Sequence, residues 1–183
     1  KYRQIKSVDQ VKNFIQEQSA QVSQMTLYGY LKTRMGAKHV LMFEDKDFLN
    51  SINIAKWHIY GASLVDCTFF CFSFLYKERN FSKTEEANKI FFEILNTEKA
   101  SGMNLDAYNN ATKEFNSRFP NINWMEYYRS KPFEFSCTEL YNWSPIAEEL
   151  KKLDKKIVIN SMFLKWNNVQ NEFKRLTNKF NNS

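Results

Sequence analysis

The stretch Phe48 to Tyr76, FLNSINIAKWHIYGASLVDCTFFCFSFLY, limits what this chain can fold into more than any other feature. It runs 29 residues without proline, and only Lys56, His58 and Asp66 in it can carry charge. From Ile59 onward the apolar residues go all the way round the helical wheel, and a helix apolar on every side must be buried on every side. At 1.5 Å per residue it would be about 43 Å long, more than a small domain is wide, so its ends protrude or it bends. Gly61 is the place for a bend or for the close approach of a neighbouring helix. A membrane span competes with this reading, since Ile59–Tyr76 has 18 residues, the lower edge of what crosses a bilayer. Asp66 in its middle, with Ser63, Thr68 and Ser73, makes insertion unfavourable. We therefore read it as a core helix and the chain as not integral to a membrane.

Four glycines and three prolines in 183 residues leave little to build hairpins from, which favours long helices over an all-β fold. The length fits one domain with a real core. Cys67, Cys71 and Cys137 are odd in number, and two of them lie in the apolar stretch, which suits free buried thiols in a reducing compartment. Nothing near Lys1 resembles a signal peptide, and the missing initiator Met points to a leader or targeting segment removed. The expected location is the cytoplasm or an organelle matrix.

The net charge of +6 has an address. Residues 151–183 hold eight basic and two acidic residues, while residues 1–150 hold 18 of each. The excess comprises Lys151, Lys152, Lys155, Lys156, Lys165, Lys174, Arg175 and Lys179, a basic helix that could meet phosphates, anionic lipid, an acidic protein or only solvent.

Along the chain, periodicity and caps predict helices at 8–35, 45–79, 83–100, 105–119, 122–130 and 145–180. Ser7–Gln10 and Ser82–Glu85 read as capping boxes. Gly36 stands where a helix C-terminal residue should be, Asn104 caps a helix, and Ser144-Pro145 opens the last one. Gly29, between two tyrosines, would admit a neighbouring backbone. The link 37–43 reads as an extended segment and 132–143 as a hydrophobic loop. The last helix carries two seams, Ile146, Leu150, Leu153 and Ile157, then Met162, Trp166, Val169, Phe173, Leu176 and Phe180. The phase slips between Ile157 and Ser161, which predicts a break, a bend or a change of packing partner.

Catalytic signatures are missing. Two histidines, His39 and His58, with no H-x-x-x-H make no zinc site, so no metal or cofactor is expected. No G-x-S-x-G, G-x-G-x-x-G or P-loop occurs. Cys67 and Cys71 share a helix face, but apolar surroundings would blunt them as nucleophiles. Asp66 must be paired, protonated or facing a cavity. Arg34 or Lys32 from another helix is the expected partner, and a polar site made by Asp66, His58, Tyr60 and Arg34 is the alternative.

The run Gln24-Met-Thr-Leu-Tyr-Gly-Tyr-Leu-Lys-Thr-Arg34, then Met42-Phe-Glu-Asp45 and Ser51-Ile-Asn-Ile-Ala-Lys-Trp-His-Ile-Tyr60, resembles a family of small bacterial proteins of alphaproteobacterial type. Some relatives carry the label esterase. The residues here do not support that chemistry, and no catalytic role is carried over. The resemblance implies a bacterial cytoplasm or an organelle of bacterial descent.

These readings converge on an all-α, single-domain bundle of five to seven helices around Phe48–Tyr76, with the first and last helices packed on it. The leading functional expectation is a non-enzymatic interaction or assembly protein that binds a macromolecular partner through aromatic and basic helix surfaces. A nucleic-acid or anionic-membrane binder and a small helical enzyme or ligand-binding bundle are the alternatives.

Overall fold

In the computed structural model, which describes residues 4–180, the chain is all-α, with no strand among the described residues. The helices are α1 (Val8–Met35), α2 (His39–Met42, a single turn), α3 (Lys46–Glu78), α4 (Glu85–Ala100), α5 (Leu105–Arg118), α6 (Glu134–Trp143) and α7 (Glu148–Leu176). α3 is the centre: α1, α4, α5 and α6 pack directly on it, and every residue from His58 to Leu75 is buried. By length and composition α3 is apolar enough to cross a membrane, yet 94% of its apolar window is enclosed by the rest of the chain. α7 lies in an outer layer against α1 and α6 and reaches α3 through Phe173, whose ring meets Phe70 and Phe74.

Local chemistry sets most of the helix ends. Asp45 Oδ1 accepts from the N–H groups of Asp47 and Phe48 at 2.9 and 3.1 Å and opens α3. Ser7 caps α1 and Asn104 caps α5, each accepting from the N–H three residues on. Gly36 ends α1 with φ +56°, a conformation glycine adopts without Cβ strain. Gly61 does not bend α3. It brings α5 close instead, since a Cβ there would sit 3.2 Å from Ala111 Cβ and from the Met103 terminal methyl. At Gly29 a Cβ would meet nothing within 4 Å, so the backbone approach expected there does not occur.

Further expectations fail. The link after α1 is not extended but a 3₁₀ turn followed by α2, with Val40 and Leu41 turned outward. The segment 122–130 forms turns with one 3₁₀ stretch, Tyr127–Arg129, because Ser73 Oγ donates to the Trp124 carbonyl and accepts from the Tyr128 N–H, drawing that backbone onto α3. The loop expected at 132–143 is α6, whose inward residues Phe133, Ser136, Cys137 and Leu140 keep helical spacing while Phe135, Tyr141 and Trp143 on other faces hide the period. Neither Ser82 nor Ser144 caps as expected: α4 starts after Thr84 without a side-chain cap, and Ser144 closes α6, its hydroxyl donating to the Leu140 carbonyl at 2.6 Å.

α7 runs unbroken through Ile157–Ser161, so the phase slip is a change of packing partner. Val158, Met162, Trp166, Val169, Phe173 and Leu176 face the bundle. Leu150, Leu153, Ile157 and Leu164 face outward as a ridge.

Candidate functional site

Asp66 lies near the middle of α3 with no solvent exposure. Its Oδ1 accepts from Arg118 Nη1 at 3.0 Å, and its Oδ2 accepts from the Ser136 N–H at 2.7 Å. Burial pushes the carboxyl up from 3.8 to about 6, against the pull of the Arg118 cation and the Ser136 N–H. The guanidinium is held over the rings of Phe69, Tyr127 and Phe135 and also donates to the Tyr127 hydroxyl, which in turn donates to the Pro132 carbonyl. Trp166 Nε1 donates to Ser136 Oγ at 3.1 Å, which brings α7 into the same network. The centre therefore fastens α3, α5, α6 and α7 together. The Asp66 carboxylate itself is sealed from solvent, while Arg118 and Tyr127 beside it line an open pocket with Glu114, Glu134 and Phe135.

The partner is Arg118, not Arg34 or Lys32. The Ser23 to Ser63 hydroxyl contact at 3.0 Å sets the register of antiparallel α1 and α3. From that contact Arg34 lies 11 residues along α1 and Asp66 three residues the opposite way, a separation of about 21 Å along the bundle. Arg34 Nε instead sits 3.1 Å from Asp154 Oδ2 on α7, where Tyr30 also donates to the same oxygen at 2.8 Å. The other residues of the expected polar site disperse as well. His58 stacks on Trp143 with ring centroids 3.5 Å apart, Asn110 Nδ2 lies 3.3 Å from its Nδ1, and burial lowers its pKa below the ordinary imidazole value. Tyr60 turns to the other side of α3 and donates to Glu98 at 2.8 Å. It lines a cavity of about 120 Å³ with Ala20, Ser23, Gln24, Lys56, Trp57 and Glu98, which neither Asp66 nor His58 enters.

Cys67 and Cys71 do share a face, with sulfurs 4.0 Å apart, and burial raises the Cys71 thiol well above its ordinary range. No group of three His, Cys, Asp or Glu among the described residues could hold a metal ion.

The basic set is divided by the fold. Lys151, expected on the exposed face, is buried: its ammonium donates to the carbonyls of Asn142 at 3.0 Å and Ser144 at 3.4 Å and pairs with Glu148 at 3.1 Å. It neutralises the negative end of α6, which is where a cation is favoured. Arg175 is paired with Glu172 one turn away. Lys152, Lys155, Lys156, Lys165, Lys174 and Lys179 remain exposed, Lys155 also lying 5.3 Å from the Tyr141 ring.

Arg118, Tyr127 and Ser136 were not found from the sequence, because they stand 52, 61 and 70 positions from Asp66 with no local pattern linking them. The outward ridge was legible in part, as the first seam of the last helix. No family model, curated protein or solved structure matches this chain.

Proposed function

We propose that this chain is a non-enzymatic interaction protein that binds a macromolecular partner through the outward ridge of α7 and the lysines beside it. One observation carries the reading: Leu153, Ile157 and Leu164 are 76%, 72% and 65% exposed on a helix that buries Val158, Met162, Trp166, Val169, Phe173 and Leu176 against the bundle. Scattered exposed apolar residues are ordinary, but a line of them along one helix marks a contact surface. Val40, Leu41 and Met42 are also exposed, on the turn following α1, at the end of the bundle where Arg34 ties α1 to the start of α7. The burial of the Asp66 carboxylate and the dispersal of His58 and Tyr60 add weight against the enzyme alternative. By resemblance, the place of action is a bacterial cytoplasm or an organelle of bacterial descent.

A photo-crosslinking residue at Ile157, compared with one at exposed Asn116 on α5, tests this in native lysate. A discrete product from position 157, absent at 116 and lost when Leu153 is replaced by Asp, is the expected result. Equal labelling at both positions, or none at 157, refutes it.

Six exposed lysines on and just beyond α7 favour a second reading, binding to nucleic acid or an anionic membrane surface. Affinity for duplex DNA or anionic vesicles that falls steeply with salt and vanishes on Lys152→Glu/Lys156→Glu would establish it. Salt-independent binding would end it.

A further inference from the structure

The cavity of about 120 Å³ beside Tyr60 is walled by α1, α3 and α4, away from the Asp66 centre and from α7. It reaches from exposed Gln24 to Ser23 and Tyr60, which are buried. A space of that size holds about four waters, or a solute of about five to eight non-hydrogen atoms. Trp57 and Tyr60, with ring centroids 6.1 Å apart and planes tilted by 49°, give it an apolar wall on α3.

Two side chains of opposite charge line this one space. On α4, Glu98 Oε1 accepts from the Tyr60 hydroxyl at 2.8 Å and from Gln16 Nε2 at 2.7 Å, which fixes the carboxylate in place. Both bonds fall on the same oxygen, and among the described residues Oε2 has no partner. Glu98 also stands in the last turn of α4, the negative end of that helix, where a cation is favoured. Lys99, the basic residue of that turn, lies instead over the Tyr108 ring at 4.5 Å. On α3, Lys56 comes one turn before Tyr60, with its ammonium 5.5 Å from the Trp57 ring. Among the described residues no ion pair joins Lys56 to Glu98, so the ammonium and the carboxylate oxygens are more than 4 Å apart. A fixed acceptor and a donor of full charge line one cavity without meeting.

That arrangement decides the class of ligand. A bare anion is repelled by Glu98, a bare cation is repelled by Lys56, and an apolar molecule strips water from both charges and replaces none of it. A molecule with an ammonium and a carboxylate on a short methylene chain satisfies both ends, and its methylenes lie against Trp57 and Tyr60. We propose that this cavity binds a small zwitterionic amino acid, its ammonium on Glu98 Oε2 and its carboxylate on Lys56 Nζ. No residue of α7 takes part, so the site stands or falls apart from the interaction reading.

A nuclear magnetic resonance titration of the full chain tests this, following the Trp57 indole N–H, which is assigned by its loss in Trp57→Phe. The probes are glycine, β-alanine, γ-aminobutyrate and 5-aminovalerate, with methylammonium and acetate at matched ionic strength. At least one of the zwitterions should shift the resonance saturably and bind at least tenfold more tightly than methylammonium or acetate. Lys56→Met and Glu98→Gln should each weaken it at least tenfold; the amide of Glu98→Gln keeps an oxygen for Tyr60 and Gln16. Ala20→Leu, which fills the cavity and leaves both charges, should abolish the saturable shift. Unchanged amide spectra away from the cavity show that a variant keeps the fold, and should Glu98→Gln fail that check, Lys56→Met and Ala20→Leu decide the matter. No saturable shift with any zwitterion overturns the proposal. So does methylammonium binding as tightly, which makes this a cation site, or acetate binding as tightly, which makes it an anion site. Zwitterion binding indifferent to Lys56→Met and Ala20→Leu places the ligand elsewhere and overturns it as well.

Discussion

Replacing Asp66 by Asn tests whether burial or pairing dominates at the polar centre. Asn keeps the shape of the side chain and removes its ionisation. In the folded chain burial raises the carboxyl from 3.8 to about 6, a shift of about two units, or about 3 kcal/mol at 1.36 kcal/mol per unit. The sign follows from proton counting. Between pH 4 and 6 the folded state holds more protons on Asp66 than the unfolded state does, so this group's contribution is complete below about pH 4 and is lost as pH rises through 6. Urea titrations of wild type and Asp66→Asn at pH 4, 5, 6 and 7, followed by tryptophan fluorescence, isolate this group because the other titrations cancel in the difference. The wild type should lose about 3 kcal/mol relative to the Asn variant across that range, with no further change above pH 7. A difference independent of pH would place the folded carboxyl at its ordinary value. A difference moving in favour of wild type as pH rises would mean that Arg118 and the Ser136 N–H outweigh burial, and the reasoning would be refuted.

Three further outcomes follow from the same structure. Arg118→Met leaves a buried carboxylate without its cation, so urea titration should show a loss of about 3–5 kcal/mol at pH 7 and a smaller one at pH 4, where Asp66 is neutral. Gly61→Leu forces a side chain against Ala111 and Met103 and should cost about 1–3 kcal/mol, whereas Gly29→Ala, in open space within α1, should raise stability by about 0.5–1 kcal/mol; thermal melts distinguish the two. Leu153→Asp/Ile157→Asp should leave folding stability within about 0.5 kcal/mol, because both side chains already face solvent, while Met162→Ala on the inner face should cost about 2–5 kcal/mol. Paired chemical denaturations of the two variants check that contrast.

The helical class, the central position of Phe48–Tyr76 and most helix ends were readable from the chain itself, because they depend on residues within a turn or two of one another. A stretch apolar all round has to be enclosed. Asn104 caps the helix it precedes, and Gly36 can turn where another residue would strain. The slip between Ile157 and Met162 likewise announced that the two halves of α7 face different surroundings.

What the sequence could not decide was which surface meets which. Asp66 takes Arg118 and Ser136, 52 and 70 residues away, because α5 and α6 rather than α1 pack on its side of α3. Lys151 is drawn inward by the carbonyls at the end of α6, and the stretch before α6 lies as turns because Ser73 holds it. Of the two seams on α7, the one sealed is the one that the aromatic rings of α3 and α6 can cover, with Phe173 on Phe70 and Phe74 and Trp166 on Phe133.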